Sequence, residues 1–182
     1  MAVVHEQITS FADFTEFDTV FAAAESRLDL NFFSQVPNEL SFDEKKAYYR
    51  SQIDSAFDGS WPLKEPNEEV FLYKGIYDGI IMEFCGGFIE EDGITFRGHW
   101  YLSAPDGNGS RNAIHTAEAA VSRRAFYQAH GLSRYKVLTF KNSSMYQWMK
   151  IRINDGSVIQ VSETESLSPD NSITYVTFHL EV

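Results

Sequence analysis

Between residues 94 and 103, Ile94, Phe96, Gly98, Trp100 and Leu102 alternate with Thr95, Arg97, His99, Tyr101 and Ser103. That period of two predicts a β-strand with one face buried. Pro105-Asp106-Gly107-Asn108-Gly109 then interrupts the pattern, because proline and glycine punctuate regular elements and Asn-Gly favours positive φ. From Ser110 the spacing becomes helical, with Ile114, Ala117, Val121 and Ala125 on one stripe, and a helix is predicted over 110–130. A strand running through glycines into a helix leaves backbone N–H groups at a positive helix end, open to close approach, and such a junction can seat a phosphate.

The rest of the chain divides in the same way. Residues 3–8 predict a short strand. Ser10 and Asp13 suggest a helix start, with Phe14, Phe17, Val20, Phe21 and Ala24 continuing at helical spacing to about residue 26. A polar and aromatic connector over 28–40 includes Asn31, Phe32 and Phe33. Ser41 with Glu44 is a second capping-box pattern and opens a helix over 41–56, with Phe42, Tyr49 and Ile53 inward. Residues 58–67 are a loop by composition. Strands follow at 70–77, 80–89 and 94–103, separated by Asp78-Gly79 and Glu91-Asp92-Gly93. Connections this short imply antiparallel hairpins. Gly131 is placed to end the long helix in a left-handed conformation. A strand at 135–140, arriving after a helix, is expected parallel to the strand at 94–103. A short helix at 143–151 and a final hairpin of strands at 157–164 and 173–181 complete the chain. The pattern predicts one α/β domain over 1–182, with a mixed, mostly antiparallel sheet of about seven strands flanked by helices.

Composition narrows the function. With 182 residues and 43% hydrophobic content, the chain can build a sizeable core. No run reaches the roughly 18 apolar residues of a membrane helix. The N-terminus lacks a basic region followed by an apolar stretch, so no secretory signal is expected. The single cysteine, Cys85, lies in an apolar strand and reads as core, in keeping with a reducing, cytoplasmic setting. A net charge of −11 disfavours nucleic acid and anionic membranes as partners. The charge is uneven, however. Residues 111–152 contain Arg111, Arg123, Arg124, Arg134, Lys136, Lys141, Lys150 and Arg152 against Glu118 alone, a net +7 that leaves −18 for the remainder. Positive charge concentrated just after a glycine loop suits a polyanionic small molecule, or else forms a solvated helical surface. The five histidines are dispersed and no CxxC or HxxxH spacing occurs, so no metal site is expected.

The order β-α-α-β-β-β-α-β-α-β-β resembles the GCN5-related N-acetyltransferase (GNAT) family over nearly the whole chain, and the residue-level likeness lies in 94–151. In that family the fourth strand enters a Q/R-x-x-G-x-G/A loop that binds the acetyl-CoA pyrophosphate. Here the corresponding residues are Ala104-Pro105-Asp106-Gly107-Asn108-Gly109, with Ala104 in place of the Arg or Gln and Arg111 just beyond. The resemblance implies acetyl-CoA, or another acyl-CoA, as cofactor, held by Gly107, Asn108, Gly109, Ser110 and Arg111. It also implies backbone contacts to the thioester from Tyr101, Leu102 and Ser103. The family's Asn after the fifth strand corresponds to Asn142. Its Tyr seven residues later is Met149 here, and Tyr146 is the tyrosine nearby, a candidate acid or a packing residue. His99 and Glu83 are candidate bases for deprotonating an amine. An unperturbed imidazole titrates in the right range, and desolvation within the apolar strand would raise a carboxylate. The resemblance implies an N-acetyltransferase acting on a small-molecule or peptide amine. The alternative, suggested by Ala104 and Met149, is a GNAT-like binding or structural module without catalysis. The terminal hairpin has a free edge on which two copies could pair as a homodimer.

Overall fold

The computed structural model describes residues 3–12, 14–28, 40–103, 117–141, 143–156 and 158–182. Its elements follow the predicted order: β1 (Val3–Ile8), α1 (Phe17–Leu28), α2 (Phe42–Asp58), β2 (Glu69–Tyr77), β3 (Ile80–Ile89), β4 (Thr95–Ser103), α3 (Ala117–Ala129), β5 (Arg134–Phe140), α4 (Ser144–Asn154), β6 (Ile159–Leu167) and β7 (Thr174–Glu181). The seven strands form one sheet in the order β1-β2-β3-β4-β5-β7-β6. β4 and β5 are parallel, joined across α3, and the other neighbours are antiparallel.

Local sequence accounts for most boundaries. Ser41 Oγ accepts the Glu44 N–H while Glu44 Oε2 accepts the Ser41 N–H at 2.9 Å, a complete capping box, and Gly59 ends α2 at φ 81°. Asp78 (φ 48°) and Gly79 (φ 82°) make the tight turn between β2 and β3. Gly131 ends the α3 region at φ 74°, as its sequence position predicts. The start of α1 differs from expectation. The helix begins at Phe17, not at Ser10, after two turns closed by Phe14 N–H to Phe11 O and Phe17 N–H to Phe14 O. Phe11, Phe14 and Phe17 all pack on Phe84, so burial of three rings overrides the helical spacing. Each such ring contributes about 1.5–3 kcal/mol.

The sheet is covered on both faces. Phe17, Phe21, Tyr49 and Ile53 from α1 and α2 pack on Phe84, Phe88, Trp100 and Leu102. Phe126 and Tyr127 of α3 pack on Phe71, Tyr73, Cys85 and Phe96 of the opposite face. On that same face Met149 of α4 packs on Val137, Val176, Phe178 and Leu180. Cys85 is buried, and burial pushes its thiol up to about 12, consistent with a core residue. No helix among the described residues is long and apolar enough to cross a membrane.

Candidate active site

The site is made by a break in the sheet. Along the β3–β4 ladder Gly86 faces Trp100 and Gly87 faces Gly98, so His99 is an extra residue in β4, a β-bulge. Gly87 permits it, because a Cβ there would lie 2.1 Å from the Arg97 carbonyl oxygen. Beyond the bulge β4 parts from β5. Their parallel ladder ends at Gly98 and Val137, whereas β4 stays paired to β3 as far as Ser103 and β5 stays paired to β7 as far as Phe140. The backbone edge of β4 from Trp100 to Ser103 therefore faces an opening rather than a neighbouring strand.

A side chain from across the core reaches this opening. Tyr49 of α2, buried against Phe17 and Phe21, accepts the Tyr101 N–H on its hydroxyl oxygen at 3.1 Å. Strand alternation turns the Ser103 N–H the same way. Burial raises Tyr49 well above the ordinary phenol range, so its oxygen stays protonated. Sequence reasoning treated Tyr49 as core alone. The signal that could have found it is that a buried tyrosine requires a partner for its hydroxyl.

Several solved structures share this arrangement of elements. An acetyltransferase from Salmonella typhimurium that modifies the N-terminal serine of ribosomal protein L7/L12 superposes with TM-score 0.59 at 7% identity, covering 100% of this chain and 96% of that one. A protein from Desulfovibrio desulfuricans, described as an acetyltransferase of the GNAT family, superposes with TM-score 0.54 at 9% identity over 99% of both chains. The PaiA N-acetyltransferase of Thermoplasma acidophilum, in complex with coenzyme A, gives 0.52 at 8% identity over 97% of this chain and 98% of that one. This chain has the GNAT fold. No family model and no curated protein matches the sequence itself. Of the residues that the GNAT resemblance singled out, Gly107, Asn108, Gly109, Ser110, Arg111 and Asn142 lie outside the described residues. Tyr101, Leu102 and Ser103 form the parted end of β4, with Leu102 buried against the α1–α2 side and Tyr101 on the α3 side. Tyr146 is half-buried in α4, its ring 5.7 Å from that of Phe178 and its N–H donated to the N-cap Ser143.

The two candidate bases occupy environments unlike those expected. Glu83 is fully buried on the α3 side. Arg123 Nη2 donates to its Oε2 at 2.9 Å, Tyr77 Oη donates at 3.1 Å, and His5 Nε2 lies 3.3 Å away. Burial raises the carboxyl, as expected, but the Arg123 charge and the His5 hydrogen bond outweigh it and hold the group at about 2. Glu83 is thus a permanent anion tying α3 to the sheet, with Arg123 as its ion-pair partner. Arg97 bonds Glu68 through both Nε and Nη2. His99 differs in direction as well as in strength. The bulge places it on the α1–α2 face, between Trp61, Phe88 and Trp100, with Arg97 but opposite Tyr101. Burial and the Arg97 charge push it down to about 4, so it is neutral at pH 7.

The basic segment is largely matched internally. Arg123 pairs with Glu83, Lys136 with Glu90, Lys141 with Glu165, Lys150 with Glu163 and Arg152 with Asp155. Much of the positive charge concentrated in the sequence is therefore neutralised by acids from other elements, most of them distant in the chain. This reduces its appeal as a polyanion-binding surface.

Proposed function

We propose that this protein is an N-acyltransferase drawing its acyl group from acetyl-CoA or another acyl-CoA, with a primary amine as acceptor. The parting of β4 from β5 past Gly98 and Val137 carries this reading, because it exposes strand backbone at the centre of the sheet. Such an edge fits the amide-bearing arm of coenzyme A, which can pair with it as a neighbouring strand would. Coenzyme A bound to a protein of the same fold supports the assignment. When bound, the cofactor supplies an activated thioester. The residues of the chain do the remaining work. The Ser103 N–H points into the opening, where a backbone donor can stabilise developing negative charge. The loop Gly107-Asn108-Gly109, with Ser110 and Arg111, would hold the pyrophosphate, and Asn142 would contribute to cofactor binding.

Tyr49 and His99 divide the proton handling. Tyr49 holds a proton on Oη beside the Tyr101 N–H and serves as the acid in place of Tyr146. His99 is unprotonated and accepts a hydrogen bond from an incoming amine. Glu83, fixed as an anion by Arg123, positions α3 and takes no proton at working pH. A second reading, a GNAT-like binding module without catalysis, draws on departures from the family pattern that include Ala104 and Met149.

Thermal unfolding with acetyl-CoA, and with ATP and NAD as controls, tests the first reading. Ligand at about 100 times its dissociation constant adds about 2.7 kcal/mol, or roughly 5–10 °C for a chain of this size. A shift confined to CoA species, followed by amine-dependent thiol release, supports the acyltransferase. A shift without thiol release from any amine supports the module, and no shift with CoA removes both the cofactor and the enzyme. Gly107→Glu should abolish the shift, because a carboxylate would occupy space meant for the pyrophosphate.

A further inference from the structure

Trp61 stands beside His99 on a loop that the structure pins in place. Arg97 Nη2 donates to Leu63 O at 3.1 Å and to Glu68 Oε2 at 2.6 Å, clamping the loop between α2 and β2 against β4. The Trp61 N–H donates to Ser55 O at 2.9 Å and Trp61 O accepts the Lys64 N–H at 3.1 Å, fixing the backbone on either side of the ring. The indole lies 5.4 Å from the His99 ring, edge to face, and 6.0 Å from Trp100. Trp61 Nε1 is buried, and no acceptor meets it among the described residues. Indole nitrogen can only donate, so nothing else in the group relieves the deficit. The neighbouring His99 imidazole makes no hydrogen bond among the described residues either.

Leu138 is the first β5 residue past the end of the β4–β5 ladder, and it is 53% exposed. It shares a face with Thr177, its partner on β7, and Tyr175 follows two residues away. That face is also the one carrying Lys136, whose ion pair with Glu90 lies next to Arg97. The cations and carboxylates at the floor of this groove, Arg97, Lys136, Glu68 and Glu90, are thus matched to one another. No carboxylate there is left over for a second cation.

We propose that Trp61 and His99 form the acceptor subsite. It selects a primary amine on an aromatic, otherwise uncharged body that carries a hydrogen-bond-accepting oxygen. This rests on the acyltransferase reading. His99 accepts the hydrogen bond of the amine, the Trp61 and Leu138 surfaces flank the ring, and the oxygen reaches Trp61 Nε1. Trp61 is then the specificity-determining residue. A polyamine is disfavoured because the carboxylates at the groove floor, Glu68 and Glu90, are already ion-paired.

Calorimetry on the full chain with tyramine and with spermidine, in the presence and absence of acetyl-CoA, tests the assignment. Tyramine should bind, and spermidine at least tenfold more weakly. Trp61→Phe keeps a ring and removes the N–H, and it should weaken tyramine about tenfold, the worth of one buried hydrogen bond. His99→Ala reads the amine contact if Trp61→Phe fails to fold. Equal affinities for the two amines, no tyramine heat, or an unchanged dissociation constant in a folded variant would overturn the subsite. Thermal shift with acetyl-CoA on the same samples separates the two proposals. A shift without tyramine binding overturns the subsite and leaves the acyltransferase, whereas tyramine binding without the shift leaves the pocket and removes the acyltransferase.

Discussion

Tyr49 Oη and the Tyr101 N–H are joined by a 3.1 Å hydrogen bond that carries a helix side chain to the edge of a parted strand. The ring is held by Phe17 and Phe21, so the hydroxyl has little freedom to leave. Tyr49→Phe keeps the packing and orphans the Tyr101 N–H. We expect a loss of about 1–3 kcal/mol in stability from the unpaired donor. We also expect a fall of about 10²-fold in kcat, the lower end of what a positioned proton donor supplies. Denaturant unfolding and single-turnover acyl transfer measure the two separately. Lost stability with unchanged kcat would make Tyr49 a structural residue only.

Glu83 predicts an acid sensitivity. Its carboxyl titrates at about 2 in the folded protein against 4.5 ordinarily. Above about pH 4.5 it is ionised in both states and its full contribution is present, on the order of 3 kcal/mol. As the pH falls from there towards 2, the unfolded chain takes up a proton that the folded state refuses, and the contribution is lost. Glu83→Gln should flatten stability over that window. At neutral pH it should cost about 3 kcal/mol, the lower end for breaking a buried pair, because the partly buried Arg123 guanidinium loses its counter-ion. Urea midpoints measured from pH 2 to 7 decide the matter, and parallel curves for the two proteins would contradict it.

The order of elements is legible because turn signals such as Asp78-Gly79 and Glu91-Asp92-Gly93 separate the apolar strand segments, because residues 94–103 alternate, and because Ser41 with Glu44 marks a helix start unaided. The environment of Glu83 is not. Its partners His5 and Arg123 stand 78 and 40 residues away, and no local pattern encodes such pairs. His99 departs from the expected face for a different reason. A strict period of two does not register a bulge, although Gly86, Gly87 and Gly98 on facing strands signal it, since glycine inside a strand often marks one. The matched ion pairs of the basic segment are hidden in the same way. Lys136 meets Glu90 only because β5 lies beside β4 and close to the end of β3.

His99 makes a second pH prediction with the same direction and a higher window. It titrates at about 4 when folded and near 6.5 when unfolded. Above about pH 6.5 neither state is protonated and the residue has no effect. Between 6.5 and 4 the unfolded chain binds the proton first, so stability declines as the pH falls. His99→Gln should remove that decline, seen as a flatter melting temperature between pH 6.5 and 4. Proton NMR of the folded protein should show one imidazole that does not titrate above about pH 5. An imidazole of His99 titrating near 6.5 would refute the burial argument.

Gly87 tests whether the bulge is an obligatory part of the site. An added methyl at this position would meet the Arg97 carbonyl oxygen at 2.1 Å and its carbon at 2.9 Å, both backbone atoms of the adjacent strand. A flexible side chain could move aside, but a paired strand cannot do so without breaking its ladder. Gly87→Ala should therefore cost about 3 kcal/mol, the upper end of ordinary overpacking. Gly59→Ala makes an instructive contrast, because nothing lies within 4 Å of its added methyl and the cost there comes only from the backbone angle of 81°. If Gly87→Ala folds at all, β4 must shift against β3, which would move His99 and the Tyr101 N–H together. Such a variant should lose acyl transfer and tyramine binding in parallel while Gly59→Ala keeps both. Equal stability of the two variants, by denaturant midpoint, would show that the close β3–β4 approach at Gly87 is not what holds the bulge.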